Sequence, residues 1–362
     1  MLRETAARDG TGAGGPVLGR RGTWQGLAAL SALGLARCSA EFPPSPVTAP
    51  MLATAAGEDW WTLPDGTRLP LRQFLPRGAP WAVTLALHGF NDSSDGWDLP
   101  ASAMARAGVA VLAPDQRGFG LSAARGQWPG TRQLVADAAA MARLTAARFP
   151  GLPLFLMGES MGSAVLMVLA AQPDAPPVAG YVLCAPAVWG WSEMAFYLRG
   201  TLWLANGLVP GLTLGTGPVR VRASDNNAAL RALAEDPRTI LRTRVAAVAG
   251  LVDLMQQALR AARMMRVRAL FMYGGHDQLV PAHAMRAAWR AAEADPRARF
   301  AFYPDGYHLL LRDLERGPRI EDILAWMRHP DRPLPSGATR EARAFMAGAR
   351  FAMGLSLDAK SV

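Results

Sequence analysis

Lysine is almost absent from this 362-residue chain: of 38 basic residues, Lys360 is the only lysine. Arginine therefore carries nearly all the positive charge behind a formal net charge of +9. A basic balance raises the question of nucleic acid. These arginines are scattered, however, and no nucleic-acid-binding module accompanies them, so the preference reads as GC-rich coding bias and no nucleic-acid partner is expected. Attraction to an anionic membrane surface stays open, because arginine can meet lipid phosphates. Cysteine is also scarce. Cys38 near the N-terminus and Cys184 in an apolar run do not make a disulfide framework. No cluster of ligating residues calls for a metal or cofactor. The apolar run from Trp24 to Ala36 is too short to cross a bilayer, which needs about 20 residues.

What is present is enough apolar material for a large core, 51% of the chain. From Trp60 onward, strand-like runs alternate with helical stretches, which implies parallel strands with helices on both faces. The strand-like runs are Trp81 to Phe90, Gly108 to Gly118, Leu152 to Gly158, Val178 to Pro186, Arg268 to Gly275 and Ala298 to Pro304. Their unbroken apolar character is what a parallel strand covered on both sides requires. Thr131 to Phe149 and Ser163 to Ala171 read as helices. Residues 187–265 break the alternation and read as a helical insertion over the carboxyl edge of the sheet, where ligands bind in open α/β folds. The expected organisation is an N-terminal signal-like segment (1–40), a linker (41–58), an α/β core (59–186 and 266–330) interrupted by a helical lid (187–265), and a C-terminal tail (331–362). In that tail, Thr339 to Leu355 is helix-like.

At the N-terminus, Arg20 and Arg21 precede the short apolar run and small residues follow it, the marks of an export signal. The string ending at Cys38 resembles a bacterial lipoprotein signal, in which that cysteine is lipidated, though Arg37 stands where such signals place a small residue. The expected location is therefore exported, as a lipoprotein or in the periplasm. The string GTGAGG from Gly10 has no preceding strand and is not a dinucleotide loop.

The chemistry concentrates at GESMG, Gly158 to Gly162, which follows an apolar strand and opens a helical run. G-x-S-x-G in that setting is a nucleophile elbow: a tight bend lifts the serine above the sheet at a helix N-terminus. A serine hydroxyl needs an adjacent base. Of the five histidines, four follow Ser160. His308 lies just past the last strand-like run, on a loop returning to the carboxyl edge. His276 abuts Asp277, too close for the contact between carboxylate and imidazole, and His283 and His329 read as surface residues. Asp277 ends the preceding strand and is the expected orienting carboxylate. Asp305 is too near His308 in sequence, and Asp253 falls in the insertion. The oxyanion needs preformed donors: the backbone N–H of Met161, after the nucleophile, and that of Phe90 in the loop HGFND. His88 in that loop reads as a brace.

Taken together, LALHGFNDSS, APDQRGFGLS, MGESMG, GGHDQLVP and GYHLLLRD resemble the monoacylglycerol lipase and lysophospholipase-like family, grouped with serine aminopeptidase S33-type hydrolases. The resemblance implies the α/β-hydrolase fold, a triad of Ser160, Asp277 and His308, and oxyanion donors at Phe90 and Met161. Asp115, Arg117, Gly118, Gly120 and Ser122 match a turn of the family that reads as structural. Glu159 departs from the family, whose lipases usually carry histidine there; an acid could repel an anionic substrate or shift the pKa of the base. The expected activity is hydrolysis of a carboxylic ester, a monoacylglycerol or lysophospholipid. The alternatives are an acyltransferase with the same triad, a peptidase, or a non-catalytic binding protein. Trp189, Trp191, Met194, Phe196, Trp203 and Leu204 have two readings: an apolar lid for an acyl chain, or simple packing on the core.

Overall fold

A computed structural model describes residues 59–215 and 221–348. The signal-like segment with Cys38, the linker and the end of the tail lie outside the described residues. Eight strands form the main sheet: β1 (Asp59–Thr62), β2 (Arg68–Phe74), β3 (Ala82–Leu87), β4 (Val109–Pro114), β5 (Leu154–Glu159), β6 (Gly180–Cys184), β9 (Ala269–Gly274) and β10 (Ala298–Tyr303), in the order β1-β2-β4-β3-β5-β6-β9-β10. From β4 to β10 the neighbours are parallel; β1 and β2 add an antiparallel edge. Two short strands, β7 (Thr213–Gly215) and β8 (Arg242–Arg244), pair apart from this sheet.

The period-two geometry of a strand explains the apolar runs. Along β5, Leu154 and Leu156 enter one core cluster, while Phe155 and Met157 enter the other. The first cluster is completed by helices α2 (Thr131–Arg148), α3 (Met161–Ala170), α6 (Val245–Ala261), α7 (Ala282–Ala292) and α9 (Ala338–Met346). The second is completed by α1 (Asp98–Arg106) and α8 (Arg316–Arg328). Each fully buried Leu, Val or Phe contributes about 1.5–3 kcal/mol relative to exposure, and both faces of the central strands must be apolar to gain it.

The interval 187–265 is not uniform. Its helices α4 (Phe196–Leu208) and α5 (Asn227–Glu235) have no buried residue, whereas α6 buries nine and packs on α3. At Gly250 a side chain would sit closer than 3.0 Å to the ring of Trp128, so α6 is wedged into the body of the fold. The exposed part of the insertion therefore ends before α6, and the expected lid boundary at residue 265 runs too far. The apolar amphipathic face of α6, read as lid, is core. In the tail, α9 lays Phe345 on Phe302 of β10, ring centroids 4.6 Å apart. No helix among the described residues is long and apolar enough to cross a membrane.

Candidate active site

The elbow is built from steric necessity. Ser160 joins β5 to α3 at φ 53°, ψ −112°, a conformation that L-residues avoid. Side chains at Gly158 or Gly162 would come closer than 3.0 Å to backbone atoms, of Gly162 and Ser163 in the first case and of Leu87 and His88 in the second. Glycine on both sides is thus what lets the bend close against β3. Hydrogen bonds fix the strained residue: Ser160 N–H donates to the Cys184 carbonyl at 2.9 Å, and the Ser160 carbonyl accepts from Ala164 and Ala187 N–H. Ser163 donates from its hydroxyl to the Gly158 carbonyl at 2.6 Å. Ser160 itself keeps partial exposure between buried neighbours.

Asp277 follows β9 and His308 follows β10, on the same carboxyl edge. His308 Nδ1 lies 2.8 Å from Asp277 Oδ2, with both side chains buried. The other oxygen of Asp277 accepts the Leu279 and Val280 N–H groups at 2.8 and 2.9 Å, which fixes its rotamer. Burial alone would lower the pKa of His308. The charge and hydrogen bond of Asp277, together with the charge of Glu159, outweigh this and the opposing Arg312, so the ring titrates above its ordinary value.

Met161 is the first residue of α3, so its N–H belongs to the helical turn that has no intrahelical acceptor. The loop expected to carry the second oxyanion donor lies beside it: a side chain on Gly89 would be 3.5 Å from Ser160 Cβ. The ring of Phe90 packs edge-on against Phe119, centroids 5.6 Å apart, which anchors the loop on the core. His88 is a brace, as expected: Nδ1–H donates to the Gly89 carbonyl at 2.8 Å and Nε2 accepts from Gln116 N–H at 3.0 Å. The D-x-R-G-x-G-x-S turn supports this loop from below. Asp115 accepts from Ser94 and Leu121 N–H, both at 2.7 Å, and Gly120 leaves room for its carboxylate. Arg117 pairs with Asp137 and Asp65, and Ser122 donates to backbone carbonyls of its own turn.

Of the remaining histidines, His276 stands edge-on to Tyr307, His283 is exposed on α7, and His329 caps α8. Asp305 is exposed, and Asp253 accepts from the indole of Trp191 at 2.6 Å. The apolar residues of the insertion divide between the two readings. Trp189, Trp191 and Met194 pack on the core. Phe196, Trp203 and Leu204 stand exposed at 77%, 62% and 53%.

Glu159 does not face a substrate. It is 3% exposed, and its Oε2 accepts from Arg312 Nη2 at 2.6 Å. The same nitrogen pairs with Asp92 of the oxyanion loop. Sequence reasoning missed Arg312 and Asp92. The signal was there in two acids of the motifs, Asp92 and Glu159, that needed a buried cation, and in an arginine four residues past His308.

Comparison with known proteins agrees with this geometry. Residues 78–315 match the family model described as serine aminopeptidase, S33. The monoglyceride lipase of Rattus norvegicus is 26% identical over 279 residues, covering 73% of this chain and 88% of its own. The monoacylglycerol lipase of Mycolicibacterium smegmatis is 24% identical over 280 residues, covering 76% and 99%. Among solved structures, the monoacylglycerol lipase of Paleococcus ferrophilus superposes with a TM-score of 0.60 at 22% identity, over 72% of this chain and 98% of that one. A soluble variant of the Saccharomyces cerevisiae monoglyceride lipase does so with a TM-score of 0.64 at 17% identity, over 78% and 98%. With an elbow, a return loop and an eight-stranded sheet in this order, the chain belongs to the serine aminopeptidase S33 family of α/β-hydrolases.

Proposed function

We propose that Ser160, His308 and Asp277 hydrolyse carboxylic esters through an acyl-enzyme, with the N–H groups of Phe90 and Met161 receiving the oxyanion. The observation that carries this reading is the 2.8 Å contact between His308 and Asp277 on the sheet edge where strained Ser160 opens α3. Asp277 holds the proton on Nδ1, which leaves Nε2 free as a base. The Ser160 hydroxyl attacks the ester carbonyl as Nε2 takes its proton. The tetrahedral intermediate collapses, the alcohol leaves with that proton, and an acyl group remains on Ser160. Water then attacks, again giving its proton to Nε2, and the acid departs as Ser160 regains its hydrogen.

A monoacylglycerol or lysophospholipid is the favoured substrate. The relatives named monoglyceride lipase support it, as does α4, with exposed Phe196, Trp203 and Leu204 on the insertion. That surface, with Arg199 on the same helix, also suits docking to a lipid interface. Export, with a lipid on Cys38, belongs to the same reading; loss of incorporated fatty acid in Cys38→Ala tests it. A peptidase of the family would need an acid free to meet a substrate amine, and Glu159 beside the nucleophile is already paired with Arg312. The test is a panel of monoacylglycerols, lysophospholipids, short esters and aminoacyl amides, run with and without added glycerol. Preferred release of free long-chain fatty acid supports the reading. Preference for short esters removes the lipid substrate, acylglycerol formation favours the transferase, and turnover of amides alone overturns ester hydrolysis.

A further inference from the structure

Two loops and the end of β5 meet at one buried guanidinium. Asp92 lies two residues past Phe90 in the oxyanion loop, Glu159 directly precedes Ser160, and Arg312 follows His308 by four residues. Arg312 is 5% exposed, and its Nη2 pairs with both Asp92 Oδ2 and Glu159 Oε2. Asp92 also turns its other oxygen to the Ser93 N–H at 2.8 Å. The site is cut to fit the arginine, since a side chain on Gly96 would come closer than 3.0 Å to the guanidinium. The next residue, Asp313, is fully buried and anchors the loop of His308 from the far side. It accepts from Ser224 Oγ at 2.7 Å and Tyr307 N–H at 2.9 Å, and pairs with Arg319 at 3.2 Å. The exposed salt bridges of the surface do not resemble this arrangement. Buried charges persist only when paired, and removing one partner leaves the others uncompensated.

We propose that Arg312 is a positioning residue: through one guanidinium nitrogen it locks the oxyanion loop, the elbow and the base loop into a single arrangement, and it neutralises the acid at 159. The inference rests on the hydrolase reading of the site, which it deepens. Glu159 is covalently next to Ser160, so an unpaired carboxylate there would oppose the negative charge that develops on the oxyanion. Pairing removes that repulsion and uses the acid as a strut. Arginine suits the task because it stays charged when buried and presents its donors in a fixed plane. The charged groups acting on His308 are Asp277 after β9, Glu159 at the end of β5 and Arg312 on its own loop, with Asp92 of the oxyanion loop beyond Arg312. Glu159 raises the pKa of His308 and Arg312 lowers it.

The test combines kinetics with a titration. Arg312→Met should cut kcat at least about tenfold with KM within about threefold, since misalignment is felt in the transition state more than in substrate binding. Arg312→Lys should recover part of the loss. Glu159→Gln, which keeps the shape, should lower the acid-limb pKa of kcat/KM by about 0.5 unit or more, because His308 loses a negative neighbour. A role in folding alone would reduce the melting temperature and leave that limb in place. The His308 ring titration, followed by 15N NMR on histidine-labelled protein, should shift in the same direction. It also decides the charge argument if Arg312→Met does not fold. Folded Arg312→Met with kcat within twofold of wild type, or an unmoved His308 titration in Glu159→Gln, overturns the proposal. Wild-type protein without turnover on any ester would count against the hydrolase reading instead, and the NMR titration would still judge the clamp.

Discussion

Replacing Asp277 by asparagine is a severe test of the site because the structure dictates which way the new amide must face. One carboxylate oxygen accepts two backbone N–H groups, from Leu279 and Val280, at 2.8 and 2.9 Å. Only the carbonyl oxygen of asparagine can fill that place, since an NH2 there would oppose two donors. The NH2 is thereby turned toward His308 Nδ1, where the carboxylate oxygen stood 2.8 Å away. Nδ1 must then accept, the ring proton moves to Nε2, and the nitrogen proposed as the base for Ser160 can no longer take a proton. For a triad the wrong tautomer costs about 10⁴ in kcat, which is about 5.4 kcal/mol of barrier at 1.36 kcal/mol per tenfold. Shape and backbone contacts survive, so the melting temperature should move little. Steady-state hydrolysis of a soluble chromogenic ester, beside thermal unfolding of the same preparation, makes the measurement. A folded Asp277→Asn enzyme keeping more than a tenth of wild-type kcat would refute the role assigned to Asp277.

Gly162→Ala should destabilise the fold by roughly 3 kcal/mol or prevent folding, because its methyl would press on the carbonyl of Leu87; a urea midpoint within error of wild type would show that the elbow is not sterically closed. The raised pKa of His308 places the acid limb of kcat/KM above that of an ordinary imidazole, with activity falling as the ring is protonated. By the same linkage, the His308–Asp277 pair contributes its full stability below the unfolded-state pKa and loses it as pH rises through the folded-state value; unfolding free energies across that window should decline accordingly. Phe196→Ser and Trp203→Ser, at exposed positions on α4, should each change stability by less than about 0.5 kcal/mol yet lower turnover of a dispersed long-chain monoacylglycerol relative to a short soluble ester. Equal effects on both substrates would detach α4 from lipid binding.

Much of this architecture was legible in the sequence, for a physical reason. Strands β3 to β6 and β9 are covered on both faces, so they read as continuous apolar runs. The elbow was legible because its glycines are forced by contact distances. Asp277 and His308 could be singled out because each follows a strand-like run at the carboxyl edge of the sheet. The antiparallel edge β1–β2 was not recognised: Asp59–Thr62 is only four residues, and β2 is interrupted by Pro70. Helix α6 was read as lid because an apolar helix facing a sheet and one facing a substrate share the same periodicity. The clamp of Asp92, Glu159 and Arg312 joins positions separated by up to 220 residues, and no local pattern reports such a pairing. Of the two effects expected of Glu159, repulsion of an anionic substrate does not fit an acid held by Arg312, whereas a shift of the pKa of His308 does.

The most direct test of the nucleophile is mass spectrometry after treatment with a fluorophosphonate. A single adduct, mapped to the peptide carrying Ser160 and lost in Ser160→Ala and His308→Ala, is the result expected of a serine activated by this base. Folded wild-type protein that takes no label, or takes it at another residue while Ser160 stays unmodified, would contradict the account.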